Sequence, residues 1–110
     1  MLNPRTLRTL QLLLRQADTR VPAVFGALGD PNRFRIITLL LQRNQTLCVS
    51  DIAQILGVTV PAVSQHLRVL QRSGVVTATR LGQKTCYEVR RREPLVRPLL
   101  PLFLRHPIPR

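Results

Sequence analysis

The sequence predicts a mostly α-helical fold with a small β-hairpin wing, a winged helix-turn-helix of about five or six helices in a single domain. Three observations carry this. Apolar residues recur at steps of three and four in successive stretches between Leu7 and Leu70. Two of the helical stretches are separated only by Gly57 and Val58. After Gly74 the period changes from helical to two, across Val75–Arg80 and Lys84–Val89.

The first helix is expected from about Arg5 to Asp18, where Leu7, Leu10, Leu14 and Ala17 share one face. Leu12 and Leu13 widen its apolar surface, so it needs a second surface to cover it, such as another subunit. Pro22 suits the start of a short helix with Val24, Phe25 and Leu28 inward, ended by Gly29. Asp30-Pro31 reads as a cap followed by a proline at the first helical position. The helix it opens runs to about Gln42 and buries Phe34, Ile37, Leu40 and Leu41. Thr46–Val49 is a short extended piece.

Ser50 is the expected cap of the next helix, which holds Ile52, Ala53, Ile55 and Leu56. Gly57 stops it as a left-handed C-terminal glycine. Thr59 caps the following helix, whose stripe Val60, Val63, Leu67 and Leu70 faces inward until Gly74. The two β-rich runs flank Leu81-Gly82-Gln83, a hairpin turn. Five of the nine prolines lie from Pro94 onward. Pro98 and Pro101 each remove a helical hydrogen bond, which leaves a short kinked helix or an irregular apolar arm. Pro107–Arg110 is expected to fray. The plan is thus a dimerisation helix over 1–20, a helix-turn-helix core over 21–92 and an apolar arm over 93–110.

Seventeen basic residues face five acidic ones, a net charge of +12 in 110 residues, and Lys84 is the only lysine. That balance suits a polyanionic partner such as a phosphate backbone, although a soluble arginine-rich surface has the same composition. No stretch approaches the roughly 20 apolar residues that span a bilayer, so no membrane role is expected and the chain is read as cytoplasmic. Two cysteines do not make a disulfide scaffold. No nucleophile with a matched base, no carboxylate pair and no phosphate-cradling glycine loop stands out. A non-enzyme without cofactor or metal is therefore expected.

With the apolar stripe inward, the helix after Gly57 turns Ala62, Ser64, Gln65, Arg68 and Arg72 outward, with Thr59 and Pro61 at its exposed start. Gln65 is able to make a paired hydrogen bond to adenine, and Arg68 to reach guanine or a phosphate. Ser64 donates or accepts, while Ala62 and Thr59 suit a thymine methyl. Arg80, Gln83 and Lys84 surround the wing turn, placed for backbone or minor groove. His66 lies on the same helix, for packing or for a phosphate. Duplex DNA is the expected partner. Winged-helix RNA binding, architectural DNA binding and protein interaction remain as alternatives. The four aromatics, Phe25, Phe34, Tyr87 and Phe103, offer few stacking platforms for single strands.

Several runs resemble ArsR/SmtB-type repressors: FGALGDPNRFRII from Phe25 to Ile37, LCVSDIA from Leu47 to Ala53, PAVSQHLRVL from Pro61 to Leu70, and GQKTCYEV from Gly82 to Val89. They stand in the family's order over roughly residues 23–89. The resemblance implies a homodimer, built through the first and last helices, on an operator with an inverted repeat. It implies repression until an inducer releases the DNA. Under the same reading, Leu95, Leu99, Leu102 and Phe103 join the Leu7–Leu14 face, against the alternative of a cover within one chain. The family's Cys-x-Cys metal position holds Cys48 but Ser50 here, and the tail offers only Glu93 and His106 for its other metal site. A metal sensor of the usual kind is not expected.

The cysteines suggest a different sensor. Leu47 and Val49 are the natural inward residues of the short extended piece, and Tyr87 and Val89 those of the last strand. Cys48 and Cys86 then point the other way. If the two segments pair edge to edge, both sulfurs lie on one face of the sheet, and a disulfide would tie the wing to the helix-turn-helix. Two unrelated reduced thiols are the plainer alternative.

Overall fold

The structure is a computed structural model and describes residues 1–42 and 46–105. Its elements are α1 (Pro4–Arg15), α2 (Arg20–Leu28), α3 (Pro31–Leu41), β1 (Leu47–Cys48), α4 (Val49–Leu56), α5 (Val60–Arg72), β2 (Val76–Leu81), β3 (Lys84–Val89) and α6 (Leu100–Phe103), the last preceded by a 3-10 turn over Arg97–Leu99. The strands form one antiparallel sheet in the order β1-β3-β2. Mostly α with a hairpin wing is the architecture expected.

The core lies where α2, α3, α4 and α5 meet the sheet. Ile36, Ile37, Leu40, Ile52, Val63, Leu67 and Leu70 are buried together with Val75, Val76 and Val89. Asp30 caps α3 as expected, its carboxylate accepting from the Asn32 and Arg33 N–H groups at 2.9 and 3.1 Å. The stops at Gly57 and Gly74 have φ of +70° and +84°, where a side chain would be strained.

Several boundaries and faces differ from expectation. Helix α1 ends at Arg15 rather than near Asp18, and starts one residue early because Asn3 Oδ1 accepts from the Thr6 N–H at 2.8 Å. Helix α2 begins at Arg20, not Pro22; Asp18 accepts from the Arg20 N–H and pairs with its guanidinium just before that start. Within it Val24 and Ala27 are buried while Phe25 is exposed. Ile36 replaces Phe34 in the centre of α3. Phe34 lies at the edge instead, stacked on Phe103 with ring centroids 4.6 Å apart. Helix α4 starts at Val49 with Cys48 as its cap residue, so Ser50 is already inside the first turn, and Ile55 faces outward. Val60, expected in the inward stripe of α5, is exposed.

The arm packs on its own chain. Val96 and Phe103 are buried in the core cluster, and Leu95 and Leu99 pack against it. The prolines permit only the 3-10 turn and one helical turn, the short kinked form expected. Arg91 ties the preceding segment down by donating to the Leu41 carbonyl at the end of α3 (3.4 Å). Helix α1, by contrast, buries none of its residues. The Leu7–Leu14 face is bare in the single chain, and the molecule extends 59 Å along its longest axis. His106 and Pro107–Arg110 lie outside the described residues.

Candidate nucleic-acid interface

The turn between α4 and α5 sets the geometry. Gly57 closes α4 in the left-handed conformation, and the Val58 N–H donates back to the Ala53 carbonyl at 3.1 Å. Thr59 then caps α5, its hydroxyl accepting from the Ala62 N–H at 3.3 Å. Val63, Leu67 and Leu70 anchor α5 in the core. Their burial leaves Pro61, Gln65, Arg68 and Arg72 exposed along the opposite side, with Ala62 and Ser64 half-buried on its flanks. Thr59 is exposed at the amino end.

His66 is not part of that outer row. It is half-buried and turned toward α3, where Arg33 Nη1 lies 3.3 Å from its Nδ1. A guanidinium has donors only, so Nδ1 is the acceptor in this contact. The same guanidinium donates through Nε to the Ala27 carbonyl at 2.6 Å and through Nη2 to that of Gly26 at 3.5 Å. Arg33 therefore satisfies carbonyls at the carboxyl end of α2 and braces α5 through His66. The brace was missed in the sequence; its one signal is an arginine three residues after the Asp30 cap. The Arg33 N–H bond holds the Asp30 carboxyl below its usual range, helped by the Asn32 N–H and the Arg33 charge.

The wing supplies the second half of the interface. Arg80 pairs with Thr85 and Leu81 with Lys84 in the hairpin register, so only Gly82 and Gln83 form the turn. Gly82 has φ of +64°. Arg80 Nε donates to its carbonyl at 3.4 Å, which holds the side chain near the tip. Arg80, Gln83 and Lys84 are all exposed. Arg68 of α5 and Lys84 of β3 line one open cleft of about 380 Å³ with Ser64, Ser50, Cys48 and Tyr87.

Of the five carboxylates, Glu88 is exposed on β3 opposite Thr77, toward the base of the hairpin, and the other four stand elsewhere. Asp18 pairs with Arg20 and Glu93 with Arg90, the only ion pairs among the described residues. Asp30 caps α3, and Asp51 accepts from the Cys48 N–H at 3.4 Å in the first turn of α4. The outer row of α5 and the wing tip are thus positive and uncompensated among the described residues. No group of three or more His, Cys, Asp or Glu able to hold a metal is found among those residues, and no helix there is long and apolar enough to cross a membrane.

The two cysteines do meet. Strand β1 pairs with β3 in the register Leu47↔Tyr87 and Cys48↔Cys86, and the sulfurs of Cys48 and Cys86 are joined in a disulfide. Alternation puts the two sulfurs on one face only on condition that the strands pair, and it turns Cys86 away from the inward side of β3, whereas Cys86 and its neighbour Tyr87 are both buried. Cys86 is wholly buried, whereas Cys48 is half-buried at the cleft.

Two short helices around a tight turn, followed by a hairpin with a basic tip, define a winged helix-turn-helix regulator domain. Residues 30–78 match the model of the bacterial regulatory protein, arsR family. The chain is 39% identical over 74 residues to the HTH-type transcriptional regulator NmtR of Mycobacterium tuberculosis, a stretch covering 67% of this chain and 60% of that protein. It is 36% identical over 66 residues to the uncharacterized HTH-type transcriptional regulator MJ1325 of Methanocaldococcus jannaschii, covering 60% of this chain and 73% of that one. The homodimeric winged helix-turn-helix DNA-binding domain Mb0332 of Mycobacterium bovis, described as a possible ArsR-family transcriptional regulator, shares the fold with a TM-score of 0.66, at 24% identity over 93% of this chain and 84% of its own. The chain belongs to the arsR family of bacterial regulatory proteins.

Proposed function

We propose that this chain is a sequence-specific, double-stranded DNA-binding transcriptional repressor that works in the cytoplasm as a homodimer. The observation that carries the reading is the exposed row Pro61, Gln65, Arg68 and Arg72 on α5 beside the uncompensated cations of the wing. Helix α5 enters the major groove with its outer row toward the base edges. Gln65 reads adenine, and Arg68 reads guanine or grips phosphate. Thr59, Pro61, Ala62 and Ser64 contact the edges nearest the amino end of the helix. Arg80, Gln83 and Lys84 hold the adjacent backbone or minor groove. His66 supports α5 from behind.

The bare apolar face of α1 supports the dimer. Leu7, Leu10, Leu13 and Leu14 are exposed, a cost that a second copy removes. Leu102 and the exposed faces of Phe25 and Phe34 border a second apolar surface, a groove by the arm. The homodimeric state of Mb0332 is in line with this arrangement. A two-fold dimer calls for an operator with an inverted repeat, its half-sites about one or two helical turns apart. Occupying such a site blocks a promoter until a signal lowers the affinity.

Fluorescence anisotropy tests the reading, using the duplex upstream of the chain's own gene and a scrambled duplex at near-physiological salt. Binding at least ~10³-fold tighter to the native duplex is expected. Equal, weak binding to both would refute it. The charge would then serve non-specific grip, as in architectural or RNA-binding winged helices.

A further inference from the structure

We infer that Cys48 and Cys86 form a reversible redox site, oxidised by hydroperoxides and reduced by dithiols through the cleft between α5 and the wing, and that the disulfide is the state with tight operator binding. The inference rests on the DNA-binding reading above and names the regulation of that interface.

Position is the first argument. The base of the hairpin is held by Val75, Val76 and Val89, all buried in the core. Its outer half, toward Gly82, meets the rest of the fold along β1, which pairs with β3 at only two positions. The disulfide occupies one of them. Residue Cys48 is also the cap of α4, the first helix of the helix-turn-helix. One covalent bond therefore fixes the wing against the helix pair. The cations of the interface are divided between those two bodies, Arg68 on one and Lys84 on the other, across the same cleft. Closing the bond presents them to a duplex as one surface; opening it leaves the two-residue ladder and the packing of Tyr87 and Ala78 on the core to do so.

Access is the second argument. Cys86 is wholly buried, while Cys48 is half-buried and lines the cleft, so a reagent meets Cys48 first. Cys48 stands at the amino end of α4 and shares its cleft with the cations Arg68 and Lys84, so the sulfur that a reagent meets first lies inside the candidate interface.

The chemistry balances. The Cys48 thiolate attacks the terminal oxygen of a hydroperoxide. The S–O bond forms, the O–O bond breaks, and an alcohol, or water from hydrogen peroxide, leaves with a proton. The Cys48 sulfenic acid is then attacked by the Cys86 sulfur. The S–S bond forms, the S–O bond breaks, and hydroxide leaves as water with the Cys86 proton. Two thiols have lost two electrons to the peroxide. In reverse, a dithiol attacks the Cys48 sulfur, expels the Cys86 thiolate, and its second thiol frees Cys48 as the reductant closes its own disulfide.

The test compares peroxide-treated protein with dithiothreitol-reduced protein. Intact mass must show the oxidised form lighter by two hydrogens. Anisotropy is read on the native upstream duplex and on the scrambled one. Oxidised protein is expected to bind the native duplex about tenfold tighter, the scale of a preorganisation effect. The variant Cys48→Ser with Cys86→Ser is expected to match the reduced form and to ignore peroxide. Failure to form the link, affinities of the two forms within about twofold, or tighter binding by the reduced form overturns the inference while leaving the DNA reading intact. Loss of discrimination between native and scrambled duplex in both forms overturns the DNA reading and this inference with it.

Discussion

Reduction of the Cys48–Cys86 bond is expected to destabilise the fold by an amount that its place in the chain determines. The two residues are separated by 38 positions and enclose α4, α5, β2 and the first half of β3. In the chain-entropy account, a cross-link closing a loop of that length removes about 4 kcal/mol of conformational freedom from the unfolded chain. Native domains hold roughly 5–15 kcal/mol in total, so this is a large share. Unfolding entropy near 2.1 cal/mol/K per residue converts it into a drop in Tm on the order of 15 °C for a chain of this size. Differential scanning calorimetry of oxidised and dithiothreitol-reduced protein reads it, at one protein concentration because a dimer's Tm depends on it. The Cys48→Ser with Cys86→Ser variant should melt with the reduced form. A difference below about 3 °C would refute the reasoning, because the unfolded chain would then gain no freedom on losing the bond.

Gln65→Ala is expected to weaken binding to the native duplex by about 1–3 kcal/mol and to leave scrambled DNA nearly unaffected, as loss of a paired base contact requires. Lys84→Ala should weaken both duplexes alike and flatten the salt dependence by about one unit of slope; the opposite pattern would exchange the two roles. Phe103→Ala removes a buried ring stacked on Phe34 and should cost about 3 kcal/mol in urea denaturation; a loss below about 1 kcal/mol would mean that the arm does not cover the core. Asp30 has its folded carboxyl below 3.8, so its contribution is present above that value and lost as pH falls through the lowered one. Asp30→Asn should flatten the acid limb of a stability-versus-pH curve in that window, and an unchanged limb would remove Asp30 from the account.

Much of the fold could be read from punctuation. Gly57, Gly74 and Gly82 stand where the backbone takes positive φ, and Asp30-Pro31 opens a helix in the way that pair favours. Alternation places the two cysteines on one face of the sheet only if their strands pair, which the residues alone leave open, and it does not show that β3 buries Cys86 as well as Tyr87. What resisted reading was the choice among several apolar residues on one helix. Phe25, Phe34, Ile55 and Val60 all sit at helical spacing, yet each faces outward or lies at an edge. Periodicity names a stripe, and neighbouring helices decide which side of a wide stripe is covered. The cap of α4 was misplaced because β1 is only two residues long and runs straight into the helix. Arg33 reaches the His66 ring and Arg91 the Leu41 carbonyl, 33 and 50 positions away, and spacing along one helix does not mark such contacts. In the interface, the outer row of α5 and the wing cations were legible from charge and spacing, while the orientation of His66 was set by α3.

The distribution of lysine has a practical consequence. None of the sixteen arginines adds to the amine chemistry of this protein, because arginine has no reactive amine to offer near neutral pH. Its one ε-amine is that of Lys84, exposed beside the wing turn. An amine-directed acylating reagent therefore finds one side-chain target in this sequence, at the edge of the surface proposed to face DNA. A dye attached at Lys84 becomes a single-site reporter of what approaches the wing, and an acetyl group there erases one positive charge from it.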